Sequence, residues 1–294
     1  MDDSTKITKA VIALAGYGTR FLPATKEQPK EMLPIIDKPI VQYLVEELVD
    51  SGIQDIIMVT RLGQRALEDH FDNNIALEYH LEKNGKEKIL KEVQELPKKA
   101  NYVYVRQKRF LPYGNGTPLL VVKNLIKKNE NFVYMFGDDL VKSDIPATKQ
   151  LIEEANKNPG KIIIAAQDVK PDEVEKYGVI KFGPDNKTVE TIIEKPKKEE
   201  APSNTITFGR FILNNDVLEE IAKKQLGKDN ELWLSDAIAN LAKQGKVVAV
   251  KIQGRWMTTG DPLNFLKTTI EYAKDREDLW RELKTYIENS IKES

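Results

Sequence analysis

The stretch from Lys9 to Pro34, KAVIALAGYGTRFLPATKEQPKEMLP, restricts the fold more than any other part of the chain. Its opening run, Ala10 to Ala15, is short, apolar and partly β-branched, which predicts a buried strand. That strand runs directly into Gly16-Tyr17-Gly18-Thr19-Arg20. Two glycines at a strand end let the backbone bend closely around a ligand and aim successive N–H groups at it, which suits phosphate oxygens. Arg20, Lys26 and Lys30 follow, while Pro23, Pro29 and Pro34 interrupt any helix. The segment therefore reads as a long ordered loop carrying cations. Phe21 stands where the dinucleotide fingerprint needs glycine, and no G-x-x-x-x-G-K-[ST] loop occurs. A polyphosphate site of another kind is expected at this strand's carboxyl end.

Downstream, helical and strand patterns alternate. Pro39 to Ser51 has apolar residues at helical spacing and stops at Gly52; Asp55 to Thr60 is a strand. Leu62 to Phe71 reads as a short helix, and Leu77 to Leu96 as a longer one interrupted at Gly85. Tyr102 to Gln107 is strand-like, Thr117 to Lys128 helical, and Phe132 to Phe136 an apolar strand ending in Gly137-Asp138-Asp139. This alternation predicts an α/β fold with a doubly wound, mainly parallel, Rossmann-like sheet that binds ligands at the strands' carboxyl ends. Both the opening loop and the Gly-Asp-Asp turn fall at such ends. The second half is richer in strands, at Lys161–Val169, Tyr177–Phe182, Val189–Lys195, Thr205–Leu213 and Val247–Ile252, and closes with a helical stretch from Pro262 to Ile291. No repeat or linker divides it, so residues 1–294 are expected to form one domain, with a core over 7–260 and a helical tail over 262–294.

Lys and Arg total 45 against 46 Asp and Glu, which leaves no electrostatic footprint for nucleic acid. No apolar run approaches a membrane span, and MDDSTKITK has no signal-peptide core, so a cytoplasmic protein is expected. Without cysteine, thiolate metal sites and cysteine nucleophiles are excluded. His70 and His80 lie apart on charged helical stretches, a pattern of surface or packing roles. Trp233, Trp256 and Trp280 read as packing residues. The chemistry-bearing candidates are Asp138 and Asp139, paired carboxylates able to hold a divalent cation against phosphate oxygens. Glu194 and Lys195 join them, a carboxylate for hydroxyls beside an ammonium for a phosphate, at the end of Ile192-Ile193-Glu194-Lys195-Pro196.

These stretches together resemble the sugar-1-phosphate nucleotidylyltransferases, and among them the UTP–glucose-1-phosphate uridylyltransferases of bacterial and archaeal type. The resemblance rests on AGYGTRFLPATKEQPKEMLPIIDKPIVQYLVEE, VRQ, GNGTP, FGDD, KYGVI, IIEKP, APSN with GRFIL, and TGDP, in family order. It implies a nucleotidyltransferase-type sheet with a β-rich elaboration on the sugar side, and Mg²⁺-dependent conversion of UTP and glucose 1-phosphate to UDP-glucose and pyrophosphate. By the same resemblance UTP lies along Ala15, Gly16, Gly18, Thr19 and Arg20, with uracil read by Gln107 and backbone near Gly114. Glucose 1-phosphate falls to Gly178, Glu194 and Lys195. Asp138 is the implied Mg²⁺ ligand, and Arg20 and Lys30 face the triphosphate. A homodimer or homotetramer is implied, with the helical tail a candidate subunit contact, and no nucleic-acid or membrane partner.

Two positions depart from the family pattern. Thr258 stands where relatives usually have an aspartate metal ligand, leaving Asp261 and Asp139 as candidate replacements. Gly116-Thr117-Pro118 replaces the common Gly-His-Ala beside the nucleobase site. A preference for dTTP or another sugar 1-phosphate, and a regulatory relative that binds nucleotide without turnover, therefore stand as alternatives.

Overall fold

The structure, a computed structural model, describes residues 6–292. The ends of the expected 1–294 unit, residues 1–5 and 293–294, lie outside the described residues. From β1 (Lys9–Ala13) the chain passes through the opening loop to a small hairpin, β2 (Pro34–Ile35) and β3 (Lys38–Pro39), and into α1 (Ile40–Asp50). Next come β4 (Asp55–Thr60), α2 (Arg65–His70), α3 (Ile75–Lys83), α4 (Glu87–Glu95) and β5 (Asn101–Arg106). Then follow α5 (Thr117–Val122), β6 (Phe132–Phe136), β7 (Asp139–Lys142) and α6 (Ala147–Lys157). The second half runs β8 (Ile162–Asp168), β9 (Gly178–Phe182), β10 (Val189–Glu194), β11 (Thr205–Leu213), α7 (Asn215–Ala222) and α8 (Leu234–Ala242). It ends with β12 (Val247–Lys251), β13 (Arg255–Thr258), α9 (Pro262–Ala273) and α10 (Glu277–Lys292).

Local chemistry explains the element ends. In α1 the apolar stripe Ile40, Val41, Leu44, Val45 and Leu48 is buried, and the chain turns out of the helix at Gly52 with φ 89°. Gly85, at φ 64°, separates α3 from α4 where the sequence predicts an interruption.

One nine-stranded sheet carries the order β10-β9-β11-β6-β1-β4-β5, with β8 pairing β11 and β12. The half β6-β1-β4-β5 is wholly parallel, the doubly wound arrangement expected from the sequence. From β1 the chain winds outward to β4 and β5, then returns to place β6 on the other side of β1. The topological switch point therefore lies between β1 and β6, where the glycine loop and the Gly-Asp-Asp turn both emerge. β11 runs antiparallel to β6, β8 and β9, and its register with β8 shifts between Thr207 and Phe211. That irregularity joins the parallel half to the antiparallel strands β9 and β10.

Alternate residues of β1 feed the two faces of the sheet. Ile12 packs with Leu44 and Met58 on one side, and Val11 with Tyr134 and Ile164 on the other. Arg210 is fully buried within this packing. Its Nε and Nη2 donate to the Glu47 carboxylate at 3.0 and 2.9 Å, Nη2 also to the Asp139 carbonyl at 2.6 Å, and Nη1 to the Gly209 carbonyl at 2.8 Å. A buried guanidinium is tolerable only with its donors engaged, and these bonds tie α1 to the strands that present the Asp turn.

Candidate active site

A cavity of about 670 Å³ opens at the switch point and extends over β9 and β10, a size suited to a nucleotide-scale ligand. Ala15, Gly16, Arg20, Lys30, Gln107, Gly114, Asp138, Gly178, Glu194 and Lys195 all line it. Gly18 and Thr19 do not. Gly18 instead shapes the loop: at φ 64°, a Cβ there would press within 3.2 Å of Lys30 and Thr25, and its carbonyl accepts the Thr25 hydroxyl at 2.7 Å. Lys26 is exposed and outside the cavity.

At the parallel end, Lys30 Nζ lies 2.6 Å from Asp138 Oδ2. Burial works against charge on both groups. Against it, Asp138 and then Glu31 keep Lys30 above the ordinary lysine range, while Lys30 and then Arg20 hold the Asp138 carboxyl below its usual value. Arg20 Nη1 donates to the Gly260 carbonyl at 2.9 Å, linking the glycine loop to the Thr258-Thr259-Gly260 turn. Glu31, 1% exposed, was not singled out by the sequence, although it precedes an apolar run. Burial pushes its carboxyl up to about 7 despite Lys30, and its Oε2, at the cavity wall, has no hydrogen-bond partner among the described residues.

The two aspartates of the turn have different work. Asp139 accepts the Gly209 N–H at 2.9 Å and the Trp256 indole N–H at 2.8 Å. Burial, reinforced by Asp138, raises its carboxyl to about 6. Asp261 is spent capping α9, accepting the Asn264 backbone N–H at 3.0 Å and its side-chain amide at 2.7 Å. Neither carboxylate takes the place left by Thr258. That threonine pairs with Asp139 between β13 and β7, and its hydroxyl donates weakly to the Asp138 carbonyl at 3.4 Å. The same carbonyl accepts the Thr259 N–H at 2.7 Å. The turn thus leaves Asp138 as the acidic side chain of the pair able to face a cation. One hard oxygen donor, with waters and ligand phosphates completing the shell, suits a magnesium-like ion.

At the loop before α5, the backbone of Leu232 forms a seam with residues 113–116. Leu232 N–H donates to the Tyr113 carbonyl at 2.7 Å, and Gly116 N–H to the Leu232 carbonyl at 2.9 Å. Gly114 has φ 131°, and a Cβ there would fall 2.3 Å from the Leu232 oxygen. Thr117 is fully buried, outside the cavity, and donates to the Pro112 carbonyl at 2.6 Å. Its hydroxyl closes the loop, while Pro118 of the same departing stretch lines the cavity.

At the antiparallel end, Glu194 closes β10 beside Gly178 of β9. Burial raises its carboxyl above the ordinary range, against Ser235 and Lys195. Lys195 takes φ 46°, unusual for a side-chain-bearing residue, with its N–H donating to the Tyr177 carbonyl at 3.0 Å. Trp233 and Trp256 both line the cavity, so packing, the role expected of them, is only part of what they do. Trp256 stacks on Phe208 at 5.5 Å, and Trp233 lies 4.3 Å below the Lys195 ammonium. Three buried side-chain atoms without partners belong to residues of this one cavity: Glu31 Oε2, Gln107 Oε1 and Thr207 Oγ1. Unmet polar groups gathered at one site call for a ligand rich in hydroxyl and amide groups.

A parallel-sheet switch point with a glycine loop, two cations and a carboxylate paired to one of them defines a nucleotide-handling transferase. The sequence profile of the nucleotidyl transferase family matches residues 9–275, and the chain belongs to that family. Within it, the relatives are UTP–glucose-1-phosphate uridylyltransferases. One from Staphylococcus saprophyticus is 45% identical over 286 residues, covering 96% of this chain and 97% of its own. One from Bacillus subtilis is 40% identical over 290 residues, covering 98% and 96%. Solved structures agree. A UDP-glucose pyrophosphorylase in complex with UDP-glucose superposes with TM-score 0.83 at 36% identity over 92% of this chain and all of that one. The UTP-bound enzyme of Acinetobacter baumannii gives 0.85 at 32% identity, over 96% and 99%.

Proposed function

We propose that this protein transfers the uridylyl group of UTP to glucose 1-phosphate, forming UDP-glucose and pyrophosphate. The observation that carries the reading is the cavity joining a cation-lined glycine loop to a Glu-Lys pair four strands away in sheet order, β1 to β10. Relatives named for this reaction, and neighbours bound to UTP and to UDP-glucose, favour it over a dTTP enzyme or a regulatory relative.

The phosphate oxygen of the sugar is already ionised near neutral pH, so attack on the α-phosphorus requires alignment and charge neutralisation and no general base. In this reading Arg20 and Lys30 neutralise the triphosphate, and backbone N–H groups from Ala15 to Gly16 hold it. Gln107 and the backbone at Gly114 read uracil. Glu31 offers its unpartnered oxygen to a hydroxyl of the nucleotide. Glu194 accepts sugar hydroxyls, with Gly178 leaving room beside it, and Lys195 holds the sugar phosphate. Asp138 would hold the divalent metal of the family, proposed here to be Mg²⁺; bound metal supplies charge stabilisation of the phosphoryl oxygens. Lys30 exchanges its grip on Asp138 for phosphate as substrate and metal enter.

Residues 1–294 are proposed as one nucleotidyltransferase unit acting as a homodimer or homotetramer in the cytoplasm. The exposed Leu263 and Leu266 of α9, together with Tyr286 of α10, would supply subunit contacts. No helix of the described residues is long and apolar enough to cross a membrane.

The test is pyrophosphate release with Mg²⁺ and glucose 1-phosphate against UTP, dTTP, ATP, CTP and GTP in turn. Release with UTP well above the others is expected. A dTTP preference would overturn the assignment of the base, and no release from folded, UTP-binding protein would overturn the transferase reading.

A further inference from the structure

The lysine at the end of β10 has an unusual support. Its side chain is 36% exposed, and its ion pair with Glu194 is stretched to 3.9 Å, too long for a strong hydrogen bond. No hydrogen bond reaches Lys195 Nζ among the described residues. What holds the ammonium is the Trp233 ring, 4.3 Å away. The ring is itself fixed. Its indole N–H donates to the Lys228 carbonyl at 2.9 Å, and its backbone sits between the Leu232 seam and the first turn of α8. The face of the indole is thereby presented to the cavity, and its orientation does not depend on the lysine.

We propose that Trp233 is the positioning residue for Lys195: its fixed indole face orders the ammonium in the empty cavity while leaving the N–H donors for the phosphate of the sugar substrate. The inference rests on Lys195 being the sugar-phosphate cation of the proposed function. A cation over a ring face is attracted by the ring's quadrupole, an interaction that needs no lone-pair acceptor. A carboxylate at hydrogen-bond distance would order the lysine equally well but would compete with the incoming phosphate. The indole does the first without the second. Ordering a long, flexible side chain before binding also removes an entropic cost from the binding step. The positive φ of Lys195 directs its side chain from the strand end toward this ring, and the Tyr177 carbonyl keeps the backbone there.

Steady-state kinetics and tryptophan emission test this together. Trp233→Leu is expected to raise KM for glucose 1-phosphate about tenfold, with kcat and KM for UTP within about twofold of wild type. Trp233→Phe, which keeps a ring face, is expected to recover KM to within about threefold. Glucose 1-phosphate added to wild type draws the ammonium toward phosphate and changes the emission. Trp233→Phe and Lys195→Met should both lose that change, although Trp256 and Trp280 remain. An unaltered KM in Trp233→Leu, an emission change that survives in Trp233→Phe, or a phenylalanine variant as impaired as the leucine one would each overturn the positioning role. Should wild type itself show neither turnover nor emission change with glucose 1-phosphate, the substrate assignment falls first and the positioning role with it.

Discussion

Lys30 and Lys195 line one cavity and are held by contrasting chemistry. Lys30 is locked at 2.6 Å to Asp138 beside the buried Glu31, where burial and ion pairing act together on Lys30, Glu31 and Asp138. Lys195 lies half-exposed over an aromatic ring, with its carboxylate neighbour at 3.9 Å. The first arrangement keeps buried charges paired, which guards a desolvated site against holding a lone charge; in the proposed function a metal at Asp138 and the triphosphate at Lys30 would take over as partners. The second leaves a cation ready for a single phosphate. In the proposed function, the nucleotide end is therefore built as a charge network and the sugar end as a receptive wall.

Four substitutions would break or sharpen that contrast. Asp138→Ala should have the largest effect, lowering turnover about a thousandfold in pyrophosphate-release assays, because it removes the proposed metal ligand and the partner of Lys30 together. Chelation of divalent metal should mimic it in wild type. Lys195→Ala should lower kcat/KM for glucose 1-phosphate about a hundredfold with KM for UTP nearly unchanged, reflecting loss of one charge-assisted contact. An equal rise in both KM values would erase the distinction between the ends.

Gly114→Ala is expected to destabilise the fold by about 2 kcal/mol, read as a lower thermal midpoint, since a Cβ meets the Leu232 backbone at a φ that alanine disfavours. Glu31→Gln should act only through the pH dependence of stability, and its sign is set by titration. Unfolded, this carboxyl ionises near its ordinary 4.5; folded, it keeps its proton up to about 7. The native state thus binds the extra proton, and wild-type stability falls as pH rises through that window. The glutamine variant should lose about 2 kcal/mol less than wild type between pH 5 and pH 8 in denaturant titrations. Parallel pH profiles for the two proteins would show that Glu31 is ionised throughout.

The legible parts of this molecule are those whose chemistry is local. A strand running into glycines and prolines declares itself in Lys9 to Pro34, and the strand-end positions of Asp138, Glu194 and Lys195 follow from short apolar runs. What the sequence leaves undecided depends on contacts between distant segments. Both aspartates of the Gly-Asp-Asp turn line the cavity, and it is Gly209 and Trp256, distant in the chain, that each engage one oxygen of Asp139. The surroundings of Thr258, paired with Asp139 across β13 and β7 and bonded to the Asp138 carbonyl, are likewise set by distant segments. Glu31, Arg210 and Trp233 carry no local pattern that separates them from ordinary surface or core residues; a fully buried arginine is recognisable only through Glu47, 163 positions away in the chain. Gly18 carries a structural role that its motif does not announce, bending the loop against Lys30 and Thr25.

The seam between Leu232 and residues 113–116 has a practical consequence for anyone retargeting such an enzyme. The segment that carries the aromatic wall of the sugar end is stitched, one residue away, to the loop proposed to choose the base. Donor and acceptor preferences are therefore not interchangeable modules. Libraries that randomise residues 231–235 for a new hexose should also drift in nucleotide choice, and paired diversification of both strips would explore the accessible specificities faster than either alone.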